Sequence, residues 1–152
     1  MPAWVGIDID LGRPWERPGE RPNFLRKAMP TRSPLDTVQA QLEAYNAKNI
    51  EALLDSYAPD AEQHTLGGEL LAKGREQLEA RFLARFAEPD LHAQLVSRTV
   101  IGNFVVDTEL ITRNFPDGKG VIELLCVYEV RDGRICRAQF GNGVQRMMWR
   151  AE

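Results

Sequence analysis

Apolar residues are densest near the carboxyl end of the chain, where their pattern predicts two long β-strands joined by a tight turn. Residues 121–130 carry Val, Ile, Leu and Tyr at both odd and even positions, as in a strand that is buried on both faces. A second run follows at about 134–145. The Arg-Asp-Gly segment at 131–133 separates the runs and predicts a three-residue hairpin loop with Gly133 in the left-handed region.

One face of this predicted hairpin is expected to be almost wholly apolar. Side chains alternate along a strand, so we expect Cys126, Tyr128, Cys136, Ala138 and Phe140 to share that face. The two cysteines do not stand opposite each other in this register. This argues against a disulfide and for two small buried hydrophobic side chains.

Upstream of the strands, apolar residues recur with helical spacing. Ser33 and Pro34 provide an N-cap and a first-turn proline for a first helix, and Gly74 precedes the third. Pro59 and Pro89 are expected to end the second and third helices. The predicted elements are helices at about 34–47, 49–57 and 75–87, a short strand at 61–66, and strands at 91–101, 104–114, 120–130 and 134–145.

The order of these elements predicts the fold class. Helices come first and strands last, which is typical of an α+β domain in which three N-terminal helices pack in a strongly curved, mostly antiparallel sheet. We place this domain at residues 34–146, followed by a short C-terminal tail at 147–152.

Composition and charge narrow the class of protein. With 152 residues, of which 43% are hydrophobic, the chain is large enough for one domain with its own core. A net charge of −3 argues against nucleic-acid binding, which needs a clustered basic surface. No apolar run approaches the roughly 18 residues of a membrane helix, and no leader pattern opens the chain. We therefore expect a cytoplasmic protein with no membrane partner.

The first 33 residues form a Pro/Arg-rich N-terminal arm that differs from the rest. Six of the nine prolines fall within the first 34 residues, a spacing that suits neither helix nor central strand. One interpretation is a disordered or loosely docked arm. The other is an arm that wraps a neighbouring subunit, because Trp4, Trp15 and Phe24 are aromatic anchors that a solvated tail does not need.

Three separate segments of the sequence resemble those of a known family. They are YNAKNIEALLDSYAPDAE, LLAKGREQLEARF and VYEVRDGRICRAQF, in this order and within residues 35–142. In these segments the chain resembles the nuclear transport factor 2-like superfamily, and within it the SnoaL-like and ketosteroid-isomerase-like proteins. The resemblance implies a cone-shaped fold with a mostly apolar pocket, and a homodimer through the convex sheet face, where we expect Leu125 and Val127.

The resemblance also assigns positions to the catalytic groups of steroid isomerases. Gln41 falls where the family has an oxyanion-binding tyrosine, Thr65 where it has the carboxylate base, and Cys126 where it has a protonated acid. Gln41 can donate a hydrogen bond, but none of the three reproduces the chemistry of the group it replaces. Steroid isomerisation by that route is therefore not expected.

His64 is the weak candidate for a catalytic base, because an imidazole titrates near neutral pH. Strand alternation, however, places His64 on the face opposite Gln63 and Thr65, so only one set can face the pocket. A structural or surface role is the favoured interpretation for His64, and His92 is expected to be an exposed residue at the start of a strand.

Two carboxylates, Asp107 and Glu109, lie two residues apart on one predicted strand and therefore share a face. Paired carboxylates can act together as acid and base. The neighbouring residues Val106 and Thr108 fit an apolar pocket better, so the sequence predicts that the two acids point outward.

The expected ligand is a compact, mostly apolar metabolite. Neither a metal nor a cofactor is expected, because the histidines and cysteines lack zinc-site spacing and no phosphate-binding glycine motif precedes a helix. We expect a small-molecule-binding pocket with an isomerase- or lyase-type activity; the alternative is a non-catalytic binding or dimerisation module of the same fold. The expected pocket residues are Gln41, Tyr57, Thr65, Phe82, Phe86, Val106, Thr108, Cys126, Tyr128, Ala138 and Phe140.

Overall fold

A computed structural model describes residues 31–148 of the chain. The N-terminal arm expected at 1–33 and the tail expected at 147–152 lie outside this range, apart from residues 31–33 and 147–148. The elements are α1 Pro34–Asn46, α2 Ile50–Asp55, β1 Tyr57–Thr65, β2 Leu70–Lys73, α3 Gly74–Phe86, β3 His92–Ile101, β4 Phe104–Phe115, β5 Gly118–Arg131 and β6 Arg134–Met147.

The helices begin where the sequence predicts. The Ser33 side chain accepts a hydrogen bond from the Asp36 amide at 3.1 Å, and Pro34 occupies the first turn of α1. Asn49 caps α2 in the same way, accepting from the Ala52 amide. Each cap satisfies an amide that the first helical turn leaves without a backbone partner.

The six strands form one sheet in the order β2-β1-β6-β5-β4-β3. Only the β1–β6 pair is parallel, and all other neighbouring strands are antiparallel. The three described helices pack against this sheet in a cone-like α+β arrangement. The fold class predicted from the sequence is therefore confirmed.

Two boundaries differ from the prediction. Helix α2 ends at Asp55, before Pro59, and the chain enters β1 at Tyr57, because Tyr57 already pairs with Ile135 on β6. Pro59 lies in the irregular part of β1, where a missing N–H costs no ladder hydrogen bond. The short edge strand β2 was not expected, since four residues carry too little periodicity to be recognised.

The β5–β6 hairpin turns more tightly than predicted. Arg131 pairs with Arg134, so the loop has two residues, Asp132 and Gly133, both with positive φ of 51° and 74°. A bulge between Glu129 and Val130 then shifts the register. Because of this shift, Cys136 lies on the face of Glu129 rather than beside Ala138, and its Sγ is 3.4 Å from Glu129 Oε2.

Both cysteines are free, as the sequence predicts, but Cys126 alone of the two is buried and Cys136 is half-buried. Cys126 pairs with Phe140 across the β5–β6 ladder, whereas Cys136 lies nearer the turn.

Replacing Gly133 with alanine is expected to cost more stability than the same change at Gly102. Both glycines have positive φ, which costs a residue with a side chain about 1–2 kcal/mol. A Cβ at Gly133 also lies 2.5 Å from Thr31 Cγ2 and 3.1 Å from the Arg32 amide, whereas a Cβ at Gly102 meets no atom within 4 Å. Urea unfolding of the two variants measures the difference; equal losses would contradict the steric argument.

The outer face of the sheet carries Leu125 and Val127, which alternate with the buried Cys126 and Tyr128. Their exposure is intermediate in the single chain. The homodimer predicted through this face stays a prediction. Of the helices described in residues 31–148, none is long and apolar enough to cross a membrane.

Candidate functional site

A cavity of about 310 Å³ opens between the helices and the inner face of the sheet. This size is at the lower end of the range of ligand pockets, about 300–1,000 Å³. Helix α1 contributes Gln41, Leu42 and Tyr45 to its wall, and α3 contributes Arg81, Phe82 and Arg85. The strands contribute Tyr57, Gln63, Thr65, Leu71, Ala93, Glu109, Ile111, Arg113, Ile122, Leu124, Tyr128, Phe140 and Asn142.

The structure brings several of the expected pocket residues together. Gln41, Tyr57, Thr65, Phe82, Tyr128 and Phe140 all line the cavity. The rings of Tyr128 and Phe140 stand edge to face with centroids 6.3 Å apart, so both side chains lie on the same side of the sheet.

Other expected pocket residues support the cavity without lining it. Cys126 and Ala138 are fully buried in the core cluster. Phe86 packs its ring against Tyr45, with centroids 5.7 Å apart, and against Phe82. These three residues therefore pack against the residues that line the cavity and do not line it themselves.

The prediction for strand β4 was wrong. Val106 and Thr108 were expected in the pocket, but they lie on the outer face, where Thr108 Oγ1 hydrogen-bonds Ser97 Oγ. Asp107 and Glu109 were expected outside, but they are buried, with exposed fractions of 0% and 5%. Glu109 is therefore a cavity-lining residue that the sequence interpretation missed.

The reason is the register of the β4–β5 hairpin. Asp107 stands directly opposite Cys126, and Glu109 opposite Leu124. Residues directly opposite in an antiparallel pair lie on the same face. Since Cys126 faces inward, Asp107 and Glu109 must face inward too. Counting back from a two-residue turn at Pro116-Asp117 would have given this register from the sequence.

A buried ion pair stabilises Asp107. Arg98 on β3 donates from Nε to Asp107 Oδ1 at 2.7 Å and from Nη2 to Oδ2 at 2.9 Å. Its Nη1 donates to Gln39 Oε1 on α1 at 2.8 Å. This bidentate geometry matches the planar guanidinium to the carboxyl group and supplies two charge-assisted hydrogen bonds inside the protein.

Within residues 31–148, Glu109 forms no ion pair with an arginine or lysine. Burial raises the pKa of its carboxyl to about 7, and the nearby charge of Asp107 adds to this increase. Its Oε1 atom is buried without a hydrogen-bond partner in the part of the chain that the structure describes. A carboxyl poised near neutral pH at the wall of a cavity can both accept and donate a proton.

Gln41 and Tyr128 are further polar groups at this wall. The Oε1 atom of the buried Gln41 side chain also has no partner among the described residues. Burial raises the pKa of the Tyr128 hydroxyl well above its usual value, so Tyr128 remains a neutral donor. Two buried acceptors without partners, Gln41 Oε1 and Glu109 Oε1, are the atoms that a polar ligand would satisfy.

His64 does not line the cavity. Its Nδ1 lies 3.4 Å from the Gly68 carbonyl oxygen and its Nε2 lies 3.7 Å from Glu62 Oε1. These contacts tie the imidazole to the β1–β2 hairpin, on the face opposite Gln63. The weak candidate for a catalytic base therefore lies away from the pocket, and His92 is exposed.

Comparisons with known proteins agree with this architecture. A family model described as a SnoaL-like domain matches residues 38–138. An uncharacterised cystatin-fold protein from Novosphingobium aromaticivorans is 25% identical, with a TM-score of 0.67 over 72% of this chain and 97% of that one. No curated protein matches the chain in sequence.

Two further structures share the fold at lower identity. IdmH from Streptomyces antibioticus, provisionally named a polyketide cyclase, is 21% identical, with a TM-score of 0.62 over 73% of this chain and 92% of that one. TerC, co-crystallised with polyporic acid, is 19% identical, with a TM-score of 0.61 over 70% and 88%. The family model covers more than half of this chain, and the fold agrees with it. The chain therefore belongs to the SnoaL-like family and has the fold of nuclear transport factor 2-like proteins.

Proposed function

We propose that this protein is a small-molecule enzyme of the isomerase or lyase type, in which Glu109 transfers a proton to and from a carbon next to a carbonyl group. The observation that carries the proposal is the buried Glu109 carboxyl, with a pKa of about 7 and an unpartnered Oε1, at the wall of a mostly apolar cavity. General acid–base catalysis is most efficient when the pKa of the group lies near the working pH.

The proposed reaction consumes no other reagent, because Glu109 takes up one proton and returns it. The Glu109 carboxylate takes the proton from the acidic C–H bond, and the electron pair of that bond moves to the carbonyl oxygen to give an enolate. The Gln41 amide and the Tyr128 hydroxyl are neutral donors at the cavity wall that can hydrogen-bond the enolate oxygen. The protonated Glu109 then returns the proton to a different atom of the substrate.

The similarities support an organic ligand in this pocket. IdmH is provisionally named a polyketide cyclase and TerC was crystallised with polyporic acid, and both share the fold. A non-catalytic binding module remains the alternative hypothesis. An open cavity with a titratable group at its wall favours the enzyme, because a mere binding pocket has no need of a buried carboxyl with one oxygen left without a hydrogen-bond partner among the described residues.

Exchange of a carbon-bound proton tests the role of Glu109. The probe is 2-tetralone, a compact and uncharged ketone, incubated in D₂O and followed by proton NMR. The protein is expected to accelerate loss of the α-proton signal, and Glu109→Gln is expected to reduce the acceleration by at least about 100-fold, because glutamine cannot accept the proton.

Glu123→Gln is the matched control, since Glu123 is an exposed glutamate on the neighbouring strand β5. Its glutamine can still accept the hydrogen bond from the Val144 amide that Glu123 Oε1 accepts. This control is expected to exchange like the unmodified protein. Equal exchange by the Glu109 variant, or no acceleration by the unmodified protein, would contradict the proposed role.

A further inference from the structure

Arg81 on α3 places a half-buried guanidinium at the cavity wall. Its Nε atom donates to Gln63 Oε1 at 3.1 Å. The Gln63 amide is itself fixed, because its Nε2 donates to the Tyr57 hydroxyl at 3.3 Å and the side chain is 1% exposed. This chain of contacts holds the guanidinium in one place, and no carboxylate within residues 31–148 forms an ion pair with it.

The other two arginines that line the cavity, Arg85 and Arg113, both pair with a carboxylate. Arg113 binds Glu88 with three hydrogen bonds of 2.9 to 3.2 Å, and Arg85 Nη1 donates to the same carboxylate at 3.1 Å. Two cations thus share one anion. The cluster of Arg85, Arg113 and Glu88 is net positive, and Arg81 adds a second positive charge to this side of the cavity.

Arg81 on α3 and Glu109 on β4 line the same cavity, and no ion pair joins them within residues 31–148. The Arg81 guanidinium is therefore available to an anion other than Glu109. Burial and the charge of Arg85 both lower the pKa of Arg81. An anion bound beside the guanidinium would stabilise its positive charge and so raise this pKa again.

The wall of the same cavity also carries apolar and aromatic side chains. Phe82, Ile122, Leu124, Tyr128 and Phe140 line it. A ligand that spans the cavity must therefore have a hydrophobic body.

We propose that the substrate is a compact organic anion, whose carboxylate or enolate oxygen pairs with Arg81 while its carbonyl end reaches Glu109. This substrate class rests on the proposed function, because it assumes that the reacting carbon lies beside Glu109. The anionic group anchors one end of the molecule, and the apolar walls hold the body between the two sites. Binding of the anionic group at a point away from the reacting carbon would fix the orientation of the substrate relative to Glu109.

Two ligands of matched shape test the anion site. The probes are 1-naphthylacetate and its uncharged amide, 1-naphthylacetamide, and binding is measured by titration calorimetry at low salt. The unmodified protein is expected to bind the anion at least about tenfold more tightly than the amide, as one charge-assisted hydrogen bond would give. Arg81→Gln is expected to reduce this preference to less than about twofold and to leave binding of the amide unchanged, which also shows that the pocket is intact.

Two further variants sharpen the test. Arg81→Lys keeps the positive charge and is expected to retain most of the preference. Arg75→Gln removes an arginine from the same helix that does not line this cavity and has a side chain 57% exposed, so it is expected to change nothing. Equal affinity for the two probes, an unchanged preference in Arg81→Gln, or binding of neither probe would overturn the proposal. The exchange of uncharged 2-tetralone does not need Arg81, so failure of the anion site leaves the role of Glu109 separately measurable.

Discussion

Replacing Arg98 with alanine is expected to lower the free energy of unfolding by about 3–5 kcal/mol. The change leaves the Asp107 carboxylate, which is fully buried, without its bidentate partner. It also removes the hydrogen bond to Gln39 that joins β3 to α1. Urea unfolding followed by circular dichroism at pH 8 measures the loss.

The control is Arg131→Ala, which removes an arginine that pairs with Glu129 at 3.2 Å but has a side chain 68% exposed. An exposed ion pair contributes at most about 1 kcal/mol, so this variant is expected to unfold almost like the unmodified protein. The double variant Arg98→Met with Asp107→Leu is expected to recover most of the stability, because both charges leave the interior together. A loss below about 1 kcal/mol for Arg98→Ala would show that Asp107 is better solvated than its burial indicates.

Glu109→Gln is expected to stabilise the protein, increasingly so at higher pH. In the folded protein the carboxyl has a pKa of about 7, against 4.5 for an unperturbed glutamate. Between these values the folded state binds more protons than the unfolded state, so the stability of the unmodified protein falls as pH rises through this window and levels off above it. Glutamine has no such titration, and the variant is expected to gain roughly 3 kcal/mol at pH 8 but less than about 1 kcal/mol at pH 5.

Unfolding at both pH values, with Glu123→Gln as the control, checks this result. The Glu123 side chain is exposed, and its replacement is expected to change stability equally little at both values. A gain at Glu109 that does not depend on pH would contradict a raised pKa. Together with the exchange experiment, the result would show that Glu109 lowers stability at neutral pH while supplying the catalytic group, a common cost of active sites.

Both expected changes in stability arise at the buried acids of β4, Asp107 and Glu109, which lie two residues apart. Asp107 pairs with Arg98, and the charge of Asp107 contributes to the raised pKa of Glu109. Arg98 does not line the cavity, but its positive charge lowers the pKa of Glu109 and so opposes part of the increase.

Local patterns in the sequence determined the elements and the fold class. Ser33 and Pro34 fixed the start of α1, because capping depends only on the adjacent amides. The Asp-Gly and Gly-Asn turns gave the positions of two hairpins, though not the loop length and register of β5–β6, and the alternation of Cys126 and Tyr128 gave the inner face of β5. These features involve residues close together in the chain, where spacing alone predicts position.

The tertiary structure decided which arginines meet which acids and how the buried acids of β4 are compensated. Val106 and Thr108 are more apolar than Asp107 and Glu109, yet the acids face inward, because strand pairing with β5 sets the face and Arg98 compensates one charge. The unpaired state of Glu109 and the position of Arg81 depend on side chains from separate elements that meet only in the folded domain. Burial and neighbouring charge, which set the chemistry of this pocket, are properties of that packing rather than of any single stretch of sequence.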